Sequence, residues 1–199
     1  MQDNIRKRII HLFEQNHGYS STGDIQKQGI HNTYLAELEQ EGSIRKVKQG
    51  LYVLTNHTPD SSLAEALKIV SGGVVCLASA LAFHKLTTFQ PLSVEIAIER
   101  KRKVVLPEYP PIRLVYFSKD RLVTGISHEK IVNDEIRVYD KEKALCDIVF
   151  YRNKIGLDIV KESLRNYLRE RGRNISKLLA TADKLREGTL IRSYLEVIV

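Results

Sequence analysis

The sequence predicts an α+β protein: an amino-terminal helical unit closing on a β-hairpin, then a larger body with a small sheet and packed helices. Three observations carry this expectation. Residues 4–42 hold three stretches with apolar side chains at helical spacing, punctuated by Gly18 and Gly29. Residues 43–54 hold two short β-type runs around Lys48-Gln49-Gly50. Beyond residue 94, period-two alternation and β-branched runs give way after Asp140 to helical spacing.

The elements follow in order. Ile5, Ile9, Leu12 and Phe13 mark one face of a helix over Asn4–Gln15, with Arg6, Lys7 and Arg8 mostly off that stripe. Ser20, Ser21 and Thr22 are candidate caps for a short second helix ending near Gln28. Gly29 is the turn glycine, and His31-Asn32 opens a third helix that ends at Gly42. In it Leu35 and Leu38 point inward and Tyr34 sits at the edge. His31, Asn32, Thr33, Ala36, Glu37 and Gln40 are left for the outer face. Ser43–Lys46 and Leu51–Leu54 form the hairpin.

Polar residues 58–62 read as a linker between a domain over 1–57 and one over 63–199. The second begins with a helix over Leu63–Val70, Leu63, Ala66, Leu67 and Val70 inward, then a buried strand over Val74–Leu77. Ser79 is expected to cap the next helix. Val94–Ile98 alternates as a half-buried strand does; Val104–Leu106, Ile112–Phe117 and Ile136–Tyr139 are further strand-like runs. Asp140 caps a helix over Lys141–Tyr151, and Leu157–Arg171, Ile175–Arg186 and Leu190–Ile198 are helical.

Helix, tight turn, helix and basic-tipped hairpin form the order of a winged helix-turn-helix, whose second helix enters the major groove of DNA. Groove reading needs short or planar polar side chains in that helix's first turn. Asn holds adenine by two hydrogen bonds, and Thr meets a thymine methyl. His31, Asn32, Thr33, Tyr34 and Glu37 are the candidate readers. Arg45, Lys46 and Lys48 on the hairpin, with Ser21 and Thr22 at a helix start, are candidate phosphate contacts. Each also has a plainer reading, as a solvated helix face, an edge-strand charge or a simple cap.

The net charge is +7, unevenly spread: residues 1–57 and 58–150 carry +1 each, whereas 151–199 carry +5. A basic balance therefore says little about the amino-terminal unit itself. Two further clusters stand out. Arg100, Lys101, Arg102 and Lys103 follow a strand, and Lys161, Arg165, Arg169 and Arg173 recur every fourth residue along one helix flank. A mobile loop and a solvated face are their simplest readings; a second nucleic-acid or acidic-partner surface is the functional one.

Other classes lose support. Cys76 and Cys146 are isolated in apolar sequence, which predicts buried reduced thiols rather than a metal or redox pair. Phosphate-loop, dinucleotide, zinc-protease and nucleophile-elbow motifs are absent, so no enzyme, metal or cofactor is expected. Ser79 and His84 are five apart and point to different sides of one helix, so no nucleophile–base pair forms. Glu95, Glu99, Asp134, Glu135, Asp140 and Glu142 lie among basic residues and read as ion-paired surface. No run reaches the roughly 18 apolar residues of a membrane span. The first residues lack a secretory pattern, which predicts a cytoplasmic protein.

Three blocks together resemble the AbiEi family, the antitoxins and autorepressors of type IV toxin–antitoxin systems linked to abortive phage infection. They are GIHNTYLAELEQEGSIRKVKQGLYVL, the run Val75–His84, and the run Arg137–Asp147. Lys85 after His84 and Cys146 before Asp147 depart from the family pattern. The resemblance implies a winged amino-terminal domain that binds inverted repeats in its own promoter. It also implies a carboxy-terminal domain that counters a nucleotidyltransferase toxin without a stable complex. Separately, the chain is expected to be a monomer in solution that pairs on DNA. A stand-alone regulator with a ligand- or partner-sensing carboxy-terminal domain is the alternative.

Overall fold

The computed structural model describes residues 3–198. The amino-terminal unit runs α1 (Asp3–Gln15), β1 (Tyr19–Ser21), α2 (Thr22–Lys27), α3 (Thr33–Gln40), β2 (Ile44–Lys48) and β3 (Leu51–Leu54). Ile9, Phe13, Ile25, Leu35, Leu38 and Ile44 form its core. A reciprocal cap starts α2: Asp24 N donates to Ser21 Oγ at 3.1 Å, and Ser21 N donates to the Asp24 carboxylate at 3.2 Å. Gly29, at φ +71°, makes the left-handed turn before α3 without the steric cost of a Cβ.

β1 is not foreseen from the sequence. Three residues are too few for a periodic signal, and the strand exists only because β3 returns beside it, giving an antiparallel sheet in the order β1-β3-β2. Lys48 belongs to β2 after a bulge, not to the turn.

That sheet is buried on both faces. Ile44, Tyr52 and Leu54 pack against α1–α3. Tyr19, Val47, Leu51 and Val53 belong instead to the core of the larger body. Tyr19 donates its hydroxyl to the buried Glu65 at 3.1 Å, and Lys48 Nζ donates to the Ile69 carbonyl at 2.5 Å. Residues 58–62 do cross the surface between the two halves, but the apolar cores do not divide there.

The larger body begins with α4 (Ser62–Ile69), β4 (Val74–Val75), α5 (Leu77–Phe83), β5 (Val94–Glu99), β6 (Ile112–Phe117) and α6 (Lys119–Val123). It continues with β7 (Ile126–Ile131), β8 (Asp134–Tyr139), α7 (Lys141–Phe150), α8 (Arg152–Ile155), α9 (Leu157–Arg169), α10 (Ile175–Lys184) and α11 (Gly188–Ile198). The mixed sheet has the order β6-β5-β4-β8-β7, with β5 parallel to β6 and β4 parallel to β8. α7 packs against α5, α9 and α10, so the sheet and helices share one core. Asp140 caps α7 by accepting from Lys143 N at 2.8 Å.

Several expectations change. β5 is buried on both faces, because Glu95 points into protein rather than water. Its carboxylate accepts from Ser79 N and is ion-paired with Arg113, while Glu95 N donates to Ser79 Oγ. Ser79 thus lies inside α5 and braces β5 instead of capping the helix. In α4 the buried side chains are Ala64, Glu65, Ala66 and Ile69, with Leu63 and Leu67 only partly covered. Asp134 and Glu142 are also buried, so the carboxylates are not uniformly a surface set. Residues 104–106 form no strand, and α6, β7 and α8 had no sequence signal. Both cysteines are free and buried.

A charged cluster is sealed inside the helical layer. Lys143 Nζ meets Asp147 at 2.5 Å, and Arg121 reaches Asp147 at 2.6 Å and Glu187 at 2.5 Å. Lys143 Nζ lies 4.0 Å from the centre of the Tyr139 ring, and burial holds its pKa below the usual lysine range. Removing Asp147 strands the buried Lys143 without an ion-pair partner and leaves Arg121 with Glu187 alone. Asp147→Ala should therefore destabilise the fold by about 3–5 kcal/mol in urea unfolding, and a change near zero would contradict this account.

His84 Nε2 donates to the Tyr139 carbonyl at 2.7 Å, and burial lowers its pKa. The folded state thus resists a proton that the unfolded chain accepts, so stability falls as pH drops below about 6.5. His84→Gln should lose less stability than the wild type between about pH 7 and pH 5; parallel losses would place the acid sensitivity elsewhere.

Candidate nucleic-acid interface

α3 offers one buried and one open side. Leu35 and Leu38 face the core, Tyr34 packs at its margin, and His31, Thr33, Ala36 and Gln40 are exposed, with Glu37 half-exposed. The larger body packs on the sheet rather than on this helix. His31 ends up as the local cap: its Nδ1 lies 3.0 Å from Thr33 Oγ1 and 3.4 Å from Thr33 N. Asn32 occupies the cap position with a helical backbone and makes no cap hydrogen bond. Its Oδ1 is buried without a partner, so two-point contact with a base requires this side chain to turn outward.

Two other predicted contacts, Ser21 and Thr22, take part in local hydrogen bonds, the first through its hydroxyl and the second through its backbone N–H. The Ser21 hydroxyl is committed to Asp24 at 2.6 Å. Thr22 N donates to the Gly50 carbonyl at 3.0 Å, which stitches the hairpin tip to the start of α2.

On the hairpin, Arg45 and Lys46 are exposed along the edge strand β2. They pair in register with Val53 and Tyr52, so Arg45 emerges on the face toward the larger body and Lys46 on the face toward the helices. Lys48 corrects its sequence reading as a free basic contact. It is half-buried and bound to the end of α4, and burial, followed by the nearby Arg102, lowers its pKa. The bulge before it turns the ammonium toward the body instead of toward solvent.

The other basic groups separate. Arg100, Lys101 and Lys103 are exposed on the loop after β5, and Arg102 is half-buried near Gly72 and Lys48. Lys161, Arg165 and Arg169 lie exposed along α9, opposite buried Val160, Leu164 and Tyr167. Arg173 does not continue this row: α9 ends at Arg169, and the Arg173 guanidinium donates to the Glu170 carbonyl beyond the helix end. Among the described residues, Arg45, Lys46, Lys161, Arg165 and Arg169 form no ion pair.

Two arginines of α1 have a role that composition did not reveal. Arg6 donates to Ser43 Oγ at 2.9 Å, and Arg8 donates to the Gln28 carbonyl at 3.0 Å. They brace the segments before and after α3. Only their place off the apolar stripe hinted at such a task.

No helix is long and apolar enough to cross a membrane among the described residues. No curated protein matches the chain. The chain is similar in fold to the crystal structure of the RV2827C protein from Mycobacterium tuberculosis, at TM-score 0.54 and 14% identity, covering 97% of this chain and 81% of that one. At that identity the likeness concerns the fold alone. The amino-terminal segment is more specific: residues 7–55, from within α1 to just past β3, match the family model described as "Transcriptional regulator, AbiEi antitoxin".

Proposed function

We propose that residues 1–57 act as a winged helix-turn-helix and that α3 reads promoter DNA of the protein's own operon. One observation carries this reading: the polar side of α3 is left uncovered on the same face of the sheet as Lys46, with Arg45 exposed next to it on the edge strand, while the far face of the sheet is anchored. His31 and Thr33 are the exposed first-turn groups, Glu37 and Tyr34 flank them, and Arg45 and Lys46 contact phosphates. Contacts of the second kind hold register and add salt-dependent affinity.

In this reading the chain is a type IV antitoxin and autorepressor. It binds inverted repeats as a monomer that pairs on DNA, works in the cytoplasm, and counters a nucleotidyltransferase toxin without a lasting complex. Residues 63–199 supply that second activity; the match of residues 7–55 to an AbiEi antitoxin model supports the antitoxin reading of the chain, not this division of labour. The exposed rows at Arg100–Lys103 and on α9 are its candidate contact surface.

Replacing His31 and Thr33 together by Ala should weaken binding to the chain's own promoter fragment, each lost base contact costing roughly 1–3 kcal/mol. A gel-shift titration with unchanged affinity and sequence preference would remove α3 as the reader. Changing Lys161, Arg165 and Arg169 to Gln should leave operator preference intact but weaken overall binding or toxin rescue. Full activity in both assays would return this row to a solvated face.

A further inference from the structure

The outer edge of β6 pairs with no strand. Pro111 and Phe117 both turn their carbonyls toward β5, accepting from Val94 N and Arg100 N. Backbone groups of a parallel strand point alternately to its two sides, so the N–H and C=O of Ile112, Leu114 and Tyr116 point outward. Among the described residues, these outward groups have no hydrogen-bond partner. The other sheet edges are protected against pairing. β1 is three residues long, β2 carries Arg45 and Lys46, and β7 carries His128 and Lys130 at exposed positions. β6 reads Ile-Arg-Leu-Val-Tyr-Phe, and its one charge, Arg113, is drawn back onto the buried Glu95 of β5.

We propose that two copies of the chain join β6 to β6, as antiparallel strands about a two-fold axis normal to the sheet and centred on Leu114. In that register Leu114 faces Leu114 of the partner copy and Ile112 faces its Tyr116. Each is a hydrogen-bonded pair, so every outward group finds a partner. Centring on Val115 instead leaves Ile112 with no partner in the opposing β6. No like charges meet, because Arg113 falls opposite Val115. The axis also suits the proposed reader. Glu95 and Ile96 point to opposite faces of the sheet. Glu95 meets Ser79 of α5, whereas Ile96 lies against Gly73 and α4 packs on β5 and β8, so α4 holds the other face. The amino-terminal unit is anchored on α4 through Glu65 and the Ile69 carbonyl. A two-fold normal to the sheet keeps the faces in place, so both units stand on one side of the joined sheet and meet one duplex together. This inference rests on the reading that the chain binds inverted repeats. The seam is one strand long, roughly 20 Å, and is far smaller than a stable dimer interface, so it closes when DNA brings two copies together.

The test is a gel-shift titration of the full chain on its own promoter fragment with both repeats and on a fragment cut to one. The wild type should bind the two-repeat fragment cooperatively. Tyr116→Pro removes an outward N–H that no internal bond uses, and the milder Tyr116→Lys charges the edge. Each should keep the wild-type affinity for one repeat and bind the two-repeat fragment about tenfold more weakly, with unfolding curves of Tyr116→Lys unchanged. A second arm uses no DNA. At high protein concentration a short thiol cross-linker should join Leu114→Cys chains about tenfold faster than His128→Cys chains, whose cysteine lies on the β7 edge. The native cysteines are buried and do not compete. If the wild type fails to bind even one repeat, the DNA-reading assignment falls, and the cross-linking arm alone decides the seam. The seam falls if the two cysteine variants cross-link equally fast or if cooperativity survives both substitutions at Tyr116.

Discussion

The two-sided burial of the sheet β1-β3-β2 is the constraint on which the remaining arrangement depends. A hairpin alone is marginal in water and needs a partner surface to persist. Here it has two. The helices cover one face through Ile44, Tyr52 and Leu54, and the larger body covers the other through Tyr19, Val47, Leu51 and Val53. Because every buried strand position is used, the helical unit is held in one orientation on the body. The polar contacts at its rim, Tyr19 to Glu65 and Lys48 to Ile69, fix that orientation further.

The consequence for the proposed reader is geometric. α3 sits on the side of the sheet away from the body, so anchoring the hairpin costs the helix none of its outer face. The same anchoring removes Lys48 from the basic set and leaves Arg45 and Lys46 on the exposed edge. A charge on an edge strand also discourages pairing with a second sheet, so these residues have a structural use whatever they contact.

The body is organised by buried polar groups as much as by apolar ones. Glu95 and Ser79 clasp β5 to α5, and Arg121, Asp147, Lys143 and Glu187 tie α6, α7 and the turn before α11 together. Such groups tolerate burial only when each charge finds a partner, which makes their neighbours interdependent. This also explains why a reading by composition misplaced Glu95. It lies in an alternating run, and its partners Ser79 and Arg113 come from other elements, whereas Asp147 pairs with Lys143 one turn away and with Arg121 of α6.

Residue spacing and local chemistry alone determined α1, α2, α3 and the hairpin, a cap for α2 among Ser20, Ser21 and Thr22, the Asp140 cap, the Gly29 turn and the burial of both cysteines. These features depend on side chains a few positions apart, so the order of residues encodes them. Only tertiary structure decided that β1 exists, that β5 is covered on both faces, that Lys48 is tethered, that Asn32 turns inward and that Arg173 leaves the α9 row. Each rests on a contact between segments far apart in sequence, whose strength depends on what lies across the interface rather than on the neighbours along the chain.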